Sequence, residues 1–554
     1  MGCDSKPSLL TVYYHLLYKI YINKILTEAQ LAQLYNIYMK KILPIGVQSF
    51  LSIRTEKNYY YVDKTKFVKI LSDYGKYYFL SRPRRFGKSL FLDTLRQAFL
   101  GKRELFKGLY LYDNWDWDKK HPVIHISFGK GNYKTQEDLK LSIEEMFLSL
   151  QKDYSISLSY PTRKGKLEEA IRVLADKYNS PVVVLVDEYD KPILDAIDNL
   201  DNAYENREIL KDFYSPLKDL DPYLKLVFLT GVSRFSKVSI FSGLNQLRDI
   251  TLSKEFSTIC GYTQKELETV FEDQLVEFDK DEVKNWYNGY NWLGEPVYNP
   301  FDILLLFAEK SFKPYWFETG TPSFLMRLLK NRKFYIPNLE NLEVGEEMLS
   351  SIDLEKIFPE NLLFQTGYLT IKGSQKRGAR TVFALTYPNL EVRMSFNDSF
   401  LTYVLPDEIA VEAQSTELNL YAYLQEGNLE ALRDSLKSLF ASIPYDWYRK
   451  NDIDSYEGFY ASVVYALFNG AGIKTIAEDT TNKGRIDLSA FVEDKIYILE
   501  FKVVDKPSDN PLKQIKEKKY YEKYLSEGKE IYIVGIEFSK EDKNIVSFCY
   551  EKVS

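Results

Sequence analysis

A hydrophobic strand that runs into Gly-Lys-Ser and then a helix constrains this chain more than any other segment. Lys76–Leu80 is short, aromatic and β-forming. Ser81-Arg82-Pro83-Arg84-Arg85-Phe86-Gly87-Lys88-Ser89 follows, and Leu90–Leu100 then has helical apolar spacing. A strand, a tight loop and a helix N-terminus present backbone N–H groups and a positive dipole end to an anion. In such a loop Lys88 reaches the β- and γ-phosphates of a nucleotide and Ser89 ligates Mg²⁺. Arg82 stands where G-x-x-x-x-G-K-[ST] has its first glycine, so the loop alone is a weak signal.

Two further strands strengthen it. Pro181–Val186 is an apolar β-forming run that ends in Asp187-Glu188, as expected of a buried parallel strand delivering acids to a nucleotide. Asp187 would hold Mg²⁺ through water, and Glu188 would polarise the attacking water. Leu224–Leu229 ends in Thr230-Gly231-Val232-Ser233-Arg234, offering a polar sensor and a cationic finger. Alone, each strand is ordinary α/β core and Arg234 a surface salt bridge. Their order together predicts ATP binding and turnover.

The second constellation lies near the C-terminus. Ile486–Val492 and Ile496–Val503 are predicted to pair across Glu493-Asp494-Lys495, and twelve residues separate Asp487 from Glu500. Strand residues two apart share a face, so Glu500 and Lys502 point one way and Phe501 points into the core. Two carboxylates beside a lysine form a hard-oxygen site for Mg²⁺, suited to phosphodiester hydrolysis. Glu-x-Lys alone occurs by chance in most proteins. Here it ends an almost continuous apolar run, Ile496–Leu499 plus Phe501, where charge is costly unless paired or metal-bound. Tyr456–Phe468 upstream is helical with Glu457 in its first turn; Lys513–Tyr524 downstream reads as a basic amphipathic helix carrying Gln514.

The order Glu457, Asp487, Glu500-x-Lys502, Gln514 resembles the PD-(D/E)xK nuclease superfamily from about Asp452 to Glu551, although Ile486 replaces the proline many members carry. That resemblance makes Asp487, Glu500 and Lys502 catalytic, with Glu457 and Gln514 supporting. Leu43–Phe50, Tyr61–Thr65, Arg82–Ser89, Val186–Asp190, Thr230–Lys237, Trp286–Tyr290 and Tyr298–Pro300 resemble the AAA-ATPase-like proteins that carry such a nuclease at their C-terminus. The match begins near residue 41, and an arginine in the first glycine position is typical of that family. The resemblance implies an N-terminal ASCE-type P-loop module, a parallel sheet with helices on both faces. It also implies a restriction-endonuclease-like α/β module. The expected nucleotide-binding set is Arg84, Arg85, Phe86, Gly87, Lys88, Ser89, Asp187, Thr230 and Arg234.

A chain of 554 residues is too long for one core, and 45% hydrophobic with 27% charged residues is ordinary for an α/β multidomain protein. The three cysteines (Cys3, Cys260, Cys549) and three histidines (His15, His121, His125) are too scattered for a disulfide framework or a zinc knuckle. A reducing cytoplasm is the expected compartment. No segment reads as a membrane span, and Lys6 disqualifies Met-Gly-Cys as a myristoylation signal. A net charge of −6 argues against nonspecific nucleic-acid binding over the whole surface. Local footprints remain: Arg82, Arg84 and Arg85, or the lysines from Lys513 to Lys523, although the latter read more readily as a solvated face paired with Glu517 and Glu522.

Residues 1–40 read as a helical extension (Leu9–Ile25, Glu28–Lys40), with Met39 an alternative start. The ATPase domain is expected over 41–260 and a helical lid over 261–340, opened by a Thr263/Glu266 capping box. A connecting region over 341–440 is expected to hold a helix at Leu354–Leu363, strands near Gly367–Lys372 and Thr381–Thr386 around a basic loop, and helices from Ala410 to Leu439. The nuclease-like domain would fill 441–554. The Trp286–Tyr290 and Trp292 aromatics read as core rather than a base-stacking platform. With no low-complexity linker, the modules are expected to pack together. The function expected is an ATP-binding and ATP-hydrolysing protein with a Mg²⁺-dependent nuclease domain that acts on DNA in preference to RNA and is gated by nucleotide state. A nucleotide-switched interaction protein with a silent nuclease fold is the alternative. The sequence leaves oligomeric state open.

Overall fold

The computed structural model describes residues 41–235, 246–317, 323–350, 352–444, 457–508 and 510–553, so the expected N-terminal helices lie outside it. Five strands build the first sheet: β1 Tyr77–Ser81, β2 Val123–Ser127, β3 Val182–Asp187, β4 Leu224–Gly231 and β5 Arg248–Asp249. Their order is β2-β3-β4-β1-β5, with every pairing parallel. Strands β1 and β3 are buried at every residue, as a parallel sheet covered on both faces requires. Because β4 lies between β1 and β3, the loops and acids at their C-terminal ends converge on one edge.

The short ribbon β6 Tyr262–Thr263 and β7 Val297–Tyr298 interrupts the otherwise helical segment that follows. Thr263 and Glu266 form the expected capping box. Its helices, including Gln264–Val270, Lys280–Tyr287 and Pro300–Glu309, enclose their own core around Phe271, Tyr287 and Phe307. Tyr287, Tyr290 and Trp292 are buried, so the aromatic cluster is packing, as expected.

Three readings of the connecting region need correction. The helix expected at Leu354–Leu363 runs Pro359–Thr366, because Pro359 fits the first helical turn but disfavours helix at the residue before it. The basic loop is mostly hairpin: β9 Thr370–Arg377 pairs with β10 Arg380–Thr386, turning at Gly378, and β10 also pairs with β8 Leu342–Gly345. A helix at Leu390–Val404, absent from the sequence reading, precedes helices Asp407–Glu426 and Leu429–Ser442.

The last sheet has order β11-β12-β13-β14-β15, from β11 Lys474–Thr481, β12 Gly484–Val492, β13 Lys495–Val504, β14 Glu530–Ser539 and β15 Ile545–Lys552. Only β13 and β14 are parallel. The β12–β13 hairpin forms as expected, with Val492 opposite Lys495 across a turn in which Glu493 has φ +49°. The predicted helix Lys513–Tyr524 is shorter, Lys513–Lys518, followed by a 3₁₀ turn. Lys519 breaks it in a left-handed conformation, and Tyr520 and Tyr524 are thereby turned into the core. One continuous buried cluster joins β1–β4, helix Leu390–Val404, helix Glu457–Gly470 and β13–β14.

Candidate functional site

Two sites form at the ends of the two sheets. At the first, helix Lys88–Phe99 starts from Gly87 in a left-handed conformation (φ +91°), with nothing within 4 Å of the place a Cβ would occupy. Glycine therefore leaves an open cradle over the helix N-terminus, the geometry a phosphate needs. Lys88 is buried, and its Nζ donates to the carbonyl oxygens of Arg82 (2.9 Å) and Pro83 (2.8 Å). Burial lowers its pKa, opposed by the charge of Asp187. Thr230 donates to Asp187 Oδ1 at 2.9 Å, so the Thr230 hydroxyl and the acid meet across β3 and β4.

Glu188 follows in a left-handed conformation (φ +54°). It lines one cleft with Arg84, Arg85, Lys88, Ser89 and Lys191. Pro44, Gly46, Val47 and Gln48, with Tyr262, Phe301 and Leu304 of the helical segment, line the cleft's other side.

Two members of the expected set are corrected. Phe86 is buried and packs edge-on against Tyr290 and Trp292, leaving only its backbone for a ligand. Arg234 is paired through Nε with Asp249 at 2.5 Å and lies outside the residues lining the cleft; half-buried, the guanidinium takes the nearest fixed acid. Arg82 also turns away from the phosphate side. It is fully buried, lies 4.1 Å from the Trp292 ring centroid, and donates to the carbonyls of Ser81, Thr251 and Phe256. Burial pulls its pKa down to about 10. An arginine in the glycine position thus ties the loop to Thr251, Phe256 and the buried Trp292.

At the second site the register carries Asp487 to Glu500. Asp487 Oδ2 accepts the Phe501 N–H at 2.8 Å, and Glu500 Oε2 accepts from Gln514 Nε2 at 2.7 Å. Glu457 Oε2 accepts the Val503 N–H at 3.3 Å, while Lys502 is exposed at the rim. The five expected residues are therefore brought together.

Glu500 is 3% exposed, and its Oε1 has no hydrogen-bond partner. Burial, then the charge of Asp487, pushes the Glu500 carboxyl up to about 9. Burial pushes Asp487 up to about 6, with Glu457 and Glu478 adding repulsion. An orphaned buried oxygen among mutually repelling acids fits a divalent cation. Among the described residues no three Asp, Glu, His or Cys side chains form a metal cage, so Asp487 and Glu500 would supply two oxygens of a largely solvent- and substrate-ligated ion.

Matches to known proteins follow the same division. Residues 44–241 match the family described as "Predicted AAA-ATPase", and residues 455–548 match the "PD-(D/E)XK nuclease superfamily". A protein of Azotobacter chroococcum mcd 1 described as "Uncharacterized protein in vnfD 5'region" is 46% identical over 526 residues, covering 93% of this chain and 99% of that protein. The chain belongs to the AAA-ATPase-like family with a C-terminal PD-(D/E)XK nuclease domain.

In this AAA-ATPase-like chain the sequence reading missed three residues beside the nuclease acids. Glu478 lies opposite Asp487 in the β11–β12 register, between the pairs Ala477–Leu488 and Asp479–Ile486. Its φ of +50° is left-handed in mid-strand, a strain of roughly 1–2 kcal/mol for a non-glycine residue. Its Oε1 accepts from the Tyr335 hydroxyl at 3.2 Å, and its Oε2 pairs with Arg485 at 3.0 Å. Only Arg485, two residues before Asp487, left a sequence signal. No helix among the described residues is long and apolar enough to cross a membrane.

Proposed function

We propose that this protein binds and hydrolyses ATP at the first site and hydrolyses DNA phosphodiesters at the second, under nucleotide control. The observation that carries the nuclease reading is the buried Glu500 carboxylate, with an unpartnered oxygen, held between Asp487 and Gln514 beside Lys502. A silent nuclease fold has no use for that electrostatic cost.

At the nuclease site Asp487 and Glu500 would hold Mg²⁺, which when bound polarises a scissile phosphate and favours ionised water. Gln514 orients Glu500, and the Phe501 amide fixes Asp487. The exposed Lys502 ammonium steadies the attacking water or the charge developing on phosphate.

At the ATPase site the Arg84–Ser89 loop cradles the phosphates, and Lys88 exchanges its two carbonyl partners for phosphate oxygens. Ser89 and Asp187 would hold the nucleotide's Mg²⁺, and Glu188 orients water.

A packed route supports control. The Trp316 indole N–H donates to the Arg84 carbonyl at 3.2 Å, and its backbone N–H donates to Glu391 Oε1 at 2.8 Å. Two residues on, Arg393 donates to the Thr475 carbonyl on β11 at 2.9 Å. The test is incubation of purified protein with supercoiled, linear and single-stranded DNA and with RNA, with Mg²⁺ or Mn²⁺, with and without ATP. Cleavage by the wild type that is lost in Asp487→Ala and Lys502→Ala supports the nuclease. Absence of cleavage on every substrate, with ATP binding intact, would overturn it.

A further inference from the structure

We propose that Arg485 contacts a backbone phosphate of the nucleic acid beside the scissile bond, held in position by Glu478, which Tyr335 fixes in turn. This inference rests on the nuclease reading of the same site. Arg485 and Asp487 are two apart on β12, so their side chains share one face of the strand. A guanidinium there lies one strand step from the proposed cation site, the spacing of a neighbouring phosphate rather than a distant surface charge.

Arg485 is not left to wander. Its Nη1 pairs with Glu478 Oε2 at 3.0 Å, a diagonal cross-strand contact between β11 and β12. The Arg485 side chain remains 66% exposed while that of Glu478 is 28% exposed, so the acid is the anchor and the guanidinium faces solvent. Glu478 is itself held in left-handed backbone, and its other oxygen accepts the Tyr335 hydroxyl from outside the nuclease sheet. Next to Tyr335, the Ile336 N–H donates to Ser462 on helix Glu457–Gly470 at 3.3 Å, which fixes the tyrosine's backbone to the nuclease module.

A structural ion pair would not need this support. Exposed pairs contribute little to stability, and strained backbone is retained where geometry matters. A planar guanidinium paired with Glu478 through Nη1 keeps its remaining N–H groups for phosphate oxygens. Glu478 and Tyr335 are positioning residues in this arrangement, since neither touches substrate.

The test measures binding of a short single-stranded oligonucleotide by full-length Asp487→Ala protein across a salt series, and cleavage kinetics in the otherwise native chain. Arg485→Ala should weaken binding about tenfold and reduce the slope of log affinity against log salt by roughly 0.7, one phosphate's worth. It should raise KM more than it lowers kcat. Arg485→Lys should recover the salt slope but only part of the affinity, and Glu478→Gln should weaken binding with an unchanged melting temperature. Cleavage by the wild type with an unchanged salt slope in Arg485→Ala overturns the inference and leaves the nuclease standing. A wild type that neither binds nor cleaves nucleic acid overturns both.

Discussion

The two sites meet the cost of buried charge in opposite ways. Lys88 is buried, yet its ammonium is satisfied by two carbonyls of its own loop. Glu500 is buried to a similar degree, and one of its oxygens has no partner. The first site rests closed on itself and would have to exchange internal hydrogen bonds for phosphate on the proposed reading. The second is electrostatically incomplete and on the proposed reading would be stabilised by an entering cation. Nucleotide binding should therefore be a rearrangement, and metal binding a filling of a formed site.

The sharpest way to break this contrast is at the groups that make it. Asp487→Ala and Lys502→Ala should each reduce cleavage by about 10²–10³-fold, read from initial rates on labelled DNA. Lys88→Ala should abolish ATP binding in a fluorescent-nucleotide titration and leave nucleotide-free cleavage in place. Cleavage surviving in Asp487→Ala would remove the acid pair from the chemistry. Metal supplies the next largest effect. Mg²⁺ at a hundred times its Kd should stabilise the protein by about 2.7 kcal/mol in thermal unfolding. Glu500→Gln should remove that gain and raise the stability of the metal-free protein at neutral pH, because it removes the cost of keeping a carboxyl protonated well above the pKa it has in the unfolded chain. A Glu500→Gln protein less stable than the wild type without metal would show that the carboxylate is a structural partner instead.

How much of this was legible in the sequence follows from how far each contact reaches along the chain. The phosphate loop is local: backbone N–H groups, Gly87, Lys88 and Ser89 are neighbours, and β3 announces Asp187 by its own apolar run. Strand alternation likewise placed Asp487, Glu500 and Lys502 on one site. Tyr335 and Trp316 were invisible because their partners lie far away in sequence, Trp316 meeting Arg84 across more than two hundred residues. Glu478 meets nearby Arg485 and was missed because its left-handed backbone leaves no mark in the strand pattern. Lys519 reads as helix, yet burial of Tyr520 and Tyr524 outweighs local propensity. Both strands of the β9–β10 hairpin were expected, but the extension of β9 was hidden by Gly373, Ser374, Gln375 and Lys376, a composition that ordinarily marks loops.

A finer probe asks whether the resting ATPase loop senses the nuclease. Trp316→Phe keeps an aromatic ring and removes the indole N–H that reaches the Arg84 carbonyl. The ratio of cleavage rates with and without ATP should change by about 2- to 30-fold, the range a coupling of 0.5–2 kcal/mol allows. The nucleotide-free rate should stay at the wild-type value. An unchanged ratio would leave the two sites sharing a chain without sharing energy.

The smallest effect tests whether incompleteness is special to Asp487 and Glu500. Asp398 and Glu417, on helices Leu390–Val404 and Asp407–Glu426, also each have a buried oxygen without a hydrogen-bond partner. Both crowd Gly470, where a Cβ would come within 2.3 Å of Asp398 Oδ1 and 2.4 Å of Glu417 Oε1. Burial pushes Asp398 up to about 6; burial and then the charge of Asp398 push Glu417 up to about 8. Unfolded, the two titrate near about 3.9 and 4.3, so the folded protein binds the extra protons between there and pH 8. Their favourable contribution is full below the unfolded values and is lost as pH rises through the folded ones. The melting temperature should therefore fall from pH 5 to pH 8.5, and Glu417→Gln should flatten that fall. An equal fall in the variant would remove Glu417 as its source. Mg²⁺ should raise the melting temperature through Asp487 and Glu500 alone. A Mg²⁺ gain that survives Glu500→Gln and disappears in Glu417→Gln would move the cation to the helical pair and undo the contrast between the two sites.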